Sequence, residues 1–160
     1  MRISTADLWD THEGDLQVCE PVFGDYGGLR HFSGPVRTLK CFEDNSLVRD
    51  ALEQAGEGAV LVVDAGGSRR CAMLGDQLAD LEVRNGWAGV IMRGLIRDTV
   101  SLPAMPLGVK ALGTIQVKSV KRGEGQTGIP VRFAGVTFLP GQWLYADPDG
   151  IVVAPLEVAG

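Results

Sequence analysis

The sequence is poor in the residues that form disulfide frameworks, zinc sites and catalytic triads. Its three cysteines are odd in number and lack metal-ligand spacing, so the sequence predicts neither a disulfide framework nor a zinc site. We expect Cys19, Cys41 and Cys71 to be small buried hydrophobic residues. The two histidines, His12 and His31, have no serine or cysteine nucleophile pattern around them, so we interpret both as surface or structurally satisfied side chains.

Long apolar runs are also missing. No stretch approaches the ~18 apolar residues that cross a bilayer. The first residues, Met1 to Asp7, contain no long apolar segment of the kind that export signals carry. We therefore expect a cytoplasmic protein with no membrane partner.

Basic residues are outnumbered by acidic ones. The chain has 15 Lys and Arg against 20 Asp and Glu, for a formal net charge of -5. Nucleic-acid binding draws much of its affinity from clustered cations that neutralise phosphates, so we expect no direct nucleic-acid partner. The one notable basic run, Lys118 to Arg122, is short and has no aromatic partners, and we interpret it as a solvated strand end or loop.

Hydrophobic residues are plentiful enough for one core. The chain has 160 residues, of which 45% are hydrophobic, and this size predicts a single domain over residues 1–160.

The strongest structural pattern is a central βαβ unit, which indicates an α/β fold. Ala59–Val63 is an uninterrupted apolar run typical of a strand covered on both faces, and Val90–Met92 is a second buried strand. Between them the apolar spacing predicts a helix from about Cys71 to Arg84, stopped by Asn85-Gly86. We expect the two strands to be parallel neighbours.

Additional helices and strands flank this unit. A capped helical turn begins at Ser4, and Asn45 is a candidate cap for a helix from Ser46 to about Gln54. A turn is predicted at Phe32–Pro35. The remaining predicted extended segments are Val18–Phe23, Val36–Lys40, Leu107–Leu112, Thr114–Val120, Val131–Phe133, Val136–Leu139 and Ile151–Val153.

Two glycine-rich segments are candidate anion-binding loops. Gly123–Gly128 matches the G-x-G-x-x-G string, but a strand pattern follows it, so we interpret it as a connection between strands and not as a dinucleotide site. The Gly66-Gly67-Ser68 loop joins a buried strand to the predicted helix. It is either a backbone cradle for a carboxylate or a tight turn that needs positive φ, and the two interpretations are compatible.

Arg97 and Asp98 lie just beyond the second buried strand, and twenty residues (77–96) separate them from Asp76. Ligand-binding groups of open α/β folds collect at the carboxyl ends of strands, so these three residues predict one cleft. Arginine binds carboxylates through a bidentate fork, and aspartate supplies hard oxygen ligands to Mg²⁺ or Mn²⁺. The alternative is a surface Arg-Asp ion pair that closes a loop.

Taken together, several segments resemble the RraA-like family over nearly the whole chain, from Thr5 to about Val153. They agree with the family in order and spacing. These segments are Phe42–Val48, Val62–Ser68, Leu74–Ala79, Gly86–Val90, Arg97-Asp98, Gly135–Gly141 and Tyr145–Ile151.

The resemblance implies a swivelling β/β/α domain assembled as a homotrimer. It also implies one of two functions. Some members bind and inhibit ribonuclease E, whereas others are divalent-metal aldolases that cleave 4-hydroxy-4-methyl-2-oxoglutarate to pyruvate and decarboxylate oxaloacetate. An older methyltransferase label for such chains lacks support here, because no glycine motif for S-adenosylmethionine with a following ribose acid is visible.

Carried over to this chain, the aldolase pattern gives each residue of the cleft an expected role. Asp98 would bind Mg²⁺ or Mn²⁺, Arg97 would bind the 2-oxo acid substrate, and the backbone of Gly75, Asp76, Gln77 and Leu78 would hold its carboxylate. Asp76 is also the candidate residue for binding the water that acts as a base. Regulator-type members often replace the acid after the arginine, so Asp98 favours the enzyme.

Two departures favour the regulator. Ser101 stands where many aldolases have an acid, and the chain ends at Gly160 without the extension that brings a further carboxylate in longer members.

Overall fold

The computed structural model describes residues 4–158. Within that range, three α-helices span Thr5–His12 (α1), Ser46–Leu52 (α2) and Asp76–Arg84 (α3). The strands are Gln17–Val18 (β1), Gly24–Asp25 (β2), Phe32–Lys40 (β3), Val60–Asp64 (β4), Gly89–Ile96 (β5), Gly108–Thr114 (β6), Gln126–Thr127 (β7), Val131–Phe133 (β8), Val136–Phe138 (β9), Trp143–Asp147 (β10) and Gly150–Ala154 (β11). The first three residues of the N-terminal segment that argued against an export signal lie outside the described residues. The single domain over 1–160 stays a prediction.

Most strands form one mixed sheet, whose order is β1-β11-β10-β3-β4-β5-β6-β2, with β7 attached to β3. Strands β3 to β6 are parallel neighbours, whereas β1, β11 and β10 continue the sheet antiparallel. The long β3 joins the two parts, since its first residues pair with β10 and Val36–Lys40 pairs with β4. The predicted α/β class is confirmed, as is the parallel pairing of the two central strands.

The central strands are buried on both faces because each face carries its own core. Along β4, Leu61 and Val63 pack into the core shared with α2 and α3, whereas Val60 and Val62 face the core of the β8-β9 hairpin. Successive side chains of a strand point to opposite faces, so a strand between two cores needs an unbroken apolar run. This explains why β4 has no polar alternation.

The helix predicted from Cys71 begins five residues later, at Asp76, and this prediction was wrong at its start. Instead, Ala72 forms isolated bridges with Leu95 and Lys118. The Met73 N–H donates to the Leu95 carbonyl (2.8 Å), and the Ala72 N–H donates to the Val117 carbonyl (2.7 Å). Their backbone groups are satisfied by pairing beside β5, so the apolar spacing does not lead to a helix.

Other boundaries differ from prediction where long-range pairing decides the backbone. The predicted turn at Phe32–Pro35 is the beginning of β3, because it pairs with β10. The predicted strand Thr114–Val120 is absent apart from one bridge at Lys118, since β6 ends at Thr114. Of the extended segment predicted over Val18–Phe23, only Val18 lies in a strand, at the end of β1, because β2 begins at Gly24. Strand β10 was not predicted.

The cap of α2 also differs. The Asn45 side chain makes no capping bond, and the Ser46 N–H donates to Asp44 Oδ1 (2.9 Å). In contrast, Ser4 caps α1 as predicted, accepting from the Asp7 N–H.

The two glycine loops have structural roles in the described residues. Gly66 and Gly67 have φ of 70° and 69°, and their N–H groups donate to Asp64 Oδ1 and to the Arg93 carbonyl. The tight-turn interpretation is therefore confirmed. The Gly66 and Gly67 N–H groups already have acceptors, and the carboxylate cradle stays a prediction. Gly123–Gly128 contains the two-residue β7 and leads to β8, as expected for a connection between strands.

The three cysteines are buried and free, as predicted. Burial raises the pKa of the Cys19 and Cys41 thiols to about 12. No helix in the described residues is long and apolar enough to cross a bilayer.

Candidate active site

A cavity of about 320 Å³ lies beyond the carboxyl end of β5. Its walls are Leu74–Leu78 at the start of α3, Arg97 and Asp98 after β5, and Lys118, Ser119 and Lys121, with Asn45 and Arg49 at the α2 end. The structure therefore brings together all the predicted site residues, namely Gly75, Asp76, Gln77, Leu78, Arg97 and Asp98. The simple loop-closing ion pair is not observed, since no ion pair within residues 4–158 joins Arg97 to Asp98.

Asp98 is held in an uncommon backbone conformation. Its φ is 64°, in the left-handed region, which aspartate tolerates better than most residues. Its carbonyl accepts from the Ser101 and Leu102 N–H groups, and its Oδ2 accepts from the Asp76 N–H at 2.8 Å. The carboxylate thus occupies the N-terminal end of α3, where the helix dipole favours negative charge. This bond fixes Oδ2, and Oδ1 remains available to a ligand.

Gly75 leaves room for this carboxylate. A Cβ at position 75 would lie 2.6 Å from Asp98 Oδ2 and 3.3 Å from Arg97 Cγ. Its φ of -138° is ordinary extended backbone, so glycine is needed here for close approach and not for conformational freedom.

Arg97 is anchored by its backbone, whereas its side chain is only partly engaged. Its N–H donates to the Leu74 carbonyl (2.9 Å), and its Nη1 donates to the Gln116 carbonyl (3.3 Å). A guanidinium has five N–H donors, and within the described residues only that one side-chain bond is formed. The half-buried guanidinium can therefore bind a carboxylate through a bidentate fork.

The start of α3 supplies backbone donors. The first N–H groups of a helix have no intrahelical partner. Asp98 takes the Asp76 N–H, but the N–H groups of Gln77 and Leu78 have no acceptor among the described residues. Both residues line the cavity, so their amides are the ones available to an anionic group of a ligand.

Two lysines of the site were missed at the sequence level. Lys118 and Lys121 line the cavity, and with Arg49 and Arg97 they give it four cations against the carboxylates of Asp76 and Asp98. A protein of net charge -5 therefore has a cationic cavity. The basic run was visible in the sequence, but its position at the cleft depends on long-range contacts such as the bridge between Ala72 and Lys118.

The polar groups of the cavity fit a hard cation that is coordinated partly by the protein and partly by the substrate. No three His, Cys, Asp or Glu side chains within residues 4–158 are grouped closely enough to hold a metal by themselves. Mg²⁺ is usually bound by one or two carboxylates together with water and substrate oxygens. Asp98, with one oxygen fixed and the other available, is the residue that would hold such an ion.

Comparison with known proteins gives the family. The RraA-like family model, described as Aldolase/RraA, matches residues 5–153. The chain belongs to the RraA-like family. A curated RraA-like relative from Laribacter hongkongensis, named "Putative 4-hydroxy-4-methyl-2-oxoglutarate aldolase", is 55% identical over 155 residues, which cover 97% of this chain and 98% of that protein.

Two solved structures share the RraA-like fold at high sequence identity. The RNA-processing inhibitor RraA from Thermus thermophilis is 44% identical, with a TM-score of 0.95 over 100% of this chain and 97% of that chain. A protein from Geobacillus kaustophilus is 52% identical, with a TM-score of 0.96 over 98% and 97% of the two chains. It is described as an S-adenosylmethionine: 2-dimethylmenaquinone methyltransferase. Relatives of one fold thus bear three different functional names.

Proposed function

We propose that this protein is a divalent-metal-dependent lyase that cleaves 4-hydroxy-4-methyl-2-oxoglutarate to pyruvate and decarboxylates oxaloacetate. The observation that carries the proposal is the placement of Asp98, fixed at the N-terminal end of α3, beside a partly engaged Arg97 in a cationic cavity. Both substrates are dianionic 2-oxo acids, so their charge matches that of the cavity. The name of the Laribacter relative supports the same reaction.

The proposed chemistry needs a stabilised pyruvate enolate. When bound at Asp98, Mg²⁺ or Mn²⁺ supplies Lewis acidity that stabilises negative charge on the 2-oxo oxygen. Arg97 orients the substrate and offsets charge that develops on the enolate oxygen. The Gln77 and Leu78 amides bind the carboxylate next to the 2-oxo group, and Gly75 gives the space that lets Asp98 approach the helix.

Bond cleavage also requires a proton acceptor. In the aldol substrate the C3–C4 bond breaks as the C4 hydroxyl loses its proton, and the bond electrons move into the enolate at C3. We assign to Asp76 the role of holding the water that accepts this proton, since its exposed carboxylate lines the cavity. Oxaloacetate needs no such base, because CO₂ leaves and the same enolate forms. In both reactions the enolate then takes up a proton at C3 to give pyruvate.

The test is release of pyruvate from each substrate with Mg²⁺ or Mn²⁺ and with EDTA. Pyruvate is measured through lactate dehydrogenase and NADH oxidation. We expect turnover that depends on the added cation and is lost with EDTA. Absence of cation-dependent release from both substrates would reject the lyase.

We also propose a homotrimer. Val100, two residues after Asp98, is 93% exposed, and an open groove lined by Thr99 and Thr114–Gln116 adjoins the cavity at Arg97. The trimer is the assembly that the resemblance to the RraA-like family implies, and these exposed residues beside the cavity are candidates for its interface. Light scattering at micromolar concentration should give the mass of three chains, and a stable monomer would contradict this assembly.

A second candidate function is inhibition of ribonuclease E, favoured by the likeness to the Thermus RNA-processing inhibitor. A pull-down with ribonuclease E, followed by an RNA-cleavage assay, tests it independently of pyruvate release. A regulator without lyase activity should bind and inhibit the ribonuclease while releasing no pyruvate.

A further inference from the structure

The segment just before α2 connects two walls of the cavity. The Asn45 N–H donates to Ser119 Oγ (3.3 Å), and Asn45 Nδ2 donates to the Met73 carbonyl (3.3 Å). Ser119 lies in the lysine-bearing wall, and Met73 adjoins the wall formed by the start of α3. Residues 44–46 thus hold the two walls at a fixed spacing.

Asp44 is the centre of this connection. It is 3% exposed, and its Oδ1 accepts from the N–H and hydroxyl of Ser46 at 2.9 and 2.6 Å. Its Oδ2 accepts from the N–H groups of Arg122 and Glu124 at 2.9 and 3.1 Å. Burial raises the pKa of Asp44, but these four hydrogen bonds outweigh it and lower the pKa to about 2. The carboxylate is therefore ionised at neutral pH.

The loop that Asp44 holds has little other support. Residues 120–125 are exposed and belong to no strand, and Gly123 has a φ of 72°. The Gly123 N–H donates to Ser46 Oγ (3.1 Å), and that hydroxyl itself donates to Asp44. The backbone of this loop is thus fixed mainly through one buried carboxylate. Lys121, which lines the cavity, immediately precedes the first amide that Asp44 binds.

We propose that Asp44 is a positioning residue that holds the 121–124 loop so that the Lys121 ammonium reaches an anionic group of the substrate. Asp44 does not line the cavity and acts only through the loop. The inference rests on the proposed function, because it assigns Lys121 to a carboxylate of the 2-oxo acid. It gives a role to a residue whose negative charge would otherwise be unfavourable in a buried position.

The variant Asp44→Asn tests the proposal. The amide has nearly the same shape, but it has one accepting oxygen where the carboxylate has two, so it cannot accept from Ser46 and from the Arg122 and Glu124 N–H groups at once. Hydrogen exchange at these two amides should become faster, while exchange along β4 and β5 stays unchanged. Loss of a charge-assisted contact from Lys121 should raise the KM for oxaloacetate about tenfold. Because the residue does not touch the reacting atoms, kcat should change less than KM.

Glu43→Gln is the matched control. This neighbouring carboxylate accepts from Ser68 Oγ and Arg70 Nε (both 2.5 Å), and it does not line the cavity. It should keep the wild-type KM. A rise in KM for Glu43→Gln as large as that for Asp44→Asn would show a general effect of the segment and would overturn the specific role of Asp44.

A double-mutant cycle with Lys121→Gln decides whether Asp44 acts through this lysine. We expect Asp44→Asn to add no further rise in KM once Lys121 has been replaced. Additive effects, or an unchanged KM and exchange rate for Asp44→Asn alone, would overturn the proposal. If Asp44→Asn fails to fold, Ser46→Ala removes the acceptor of the Gly123 N–H and should change KM and exchange in the same direction.

Failure of the proposed function would be visible separately. A wild-type protein that releases no pyruvate rejects the lyase, and the positioning role is then judged by calorimetric binding of oxalate with Mg²⁺. Equal weakening of oxalate binding in Asp44→Asn and Lys121→Gln supports it. Wild-type binding in Asp44→Asn overturns it, as does an absence of oxalate binding by the wild type.

Discussion

Replacing Gly75 with alanine adds one methyl group and should disable the site while leaving the fold intact. The new Cβ would lie 2.6 Å from Asp98 Oδ2, whereas ordinary contact begins at about 3.4 Å. The backbone of Gly75 is in an ordinary extended conformation, so the substitution introduces no backbone strain. The atom that must move is the end of the Asp98 side chain. Its movement breaks the bond from the Asp76 N–H.

The expected magnitude follows from that bond. A hydrogen bond to a charged group contributes about 1.5–3 kcal/mol, which corresponds to roughly 10- to 150-fold in rate. We expect kcat/KM for oxaloacetate to fall within this range, measured by pyruvate release at saturating Mg²⁺. The free energy of unfolding should fall by no more than about 1–3 kcal/mol, the usual cost of one extra methyl group in a packed site.

Gly14→Ala is the control for this experiment. No atom lies within 4 Å of a Cβ built at Gly14, which is in the 3₁₀ turn Glu13–Asp15, far along the chain from the cavity. This variant should keep wild-type kcat/KM. Wild-type kcat/KM in Gly75→Ala would refute the reasoning, because it would show that the position of the Asp98 carboxylate is not important for turnover.

Three further substitutions test other parts of the structure. Arg97→Ala should lower kcat/KM by roughly 10- to 150-fold through lost substrate contacts. Calorimetry should show Mn²⁺ binding close to that of the wild type, and loss of Mn²⁺ binding would argue against Arg97 as a residue that binds only the substrate. Burial raises the pKa of Glu82 well above its ordinary value of 4.5, and neither of its carboxyl oxygens has a hydrogen-bond partner in the described residues. The folded state therefore keeps a proton that the unfolded state releases. The contribution of Glu82 to stability should fall by about 1.4 kcal/mol per pH unit between its unfolded pKa and its raised folded pKa. Glu82→Gln should remove that slope in denaturant titrations, and an unchanged slope would contradict a buried neutral carboxyl. For Asp147, burial opposes ionisation, but bonds from the Thr5 N–H and hydroxyl, both 2.7 Å, lower the pKa below 3.8. Asp147→Asn should be less stable than wild type at pH 7, and the difference should shrink as pH falls below the unfolded pKa; a difference that grows in acid would be the opposite result.

The central strands and the cleft could be predicted from the sequence because their signals are local. Val60–Val63 of β4 is apolar throughout, as a strand between two cores must be, and Val90–Met92 of β5 is similar. The carboxyl ends of parallel strands lie at one edge of a sheet, so Asp76 and Arg97-Asp98 were expected to meet. The cavity contains all three residues.

The remaining features depend on contacts between distant segments, for which the sequence has no local pattern. Lys118 reaches the cavity through one bridge to Ala72, and nothing in its neighbourhood in the sequence indicates this. Cys71–Leu74 has helical apolar spacing, but pairing of Ala72 and Met73 beside β5 prevents a helix there. The Asp44 carboxylate accepts from the N–H groups of Arg122 and Glu124, which lie 78 and 80 positions further along the chain. Its role could therefore not be predicted from the motif that contains it.

The most direct test of the lyase is pyruvate release from 4-hydroxy-4-methyl-2-oxoglutarate by the wild type and by Asp98→Asn in Mg²⁺. Asparagine is preferable to alanine because it tolerates the positive φ of position 98, and it removes the negative charge while keeping the side-chain shape. We expect Mg²⁺-dependent turnover by the wild type and a fall of roughly 100-fold or more in the variant, because a hard cation loses its charged protein ligand. Near wild-type turnover by Asp98→Asn would contradict a metal-dependent lyase centred on Asp98.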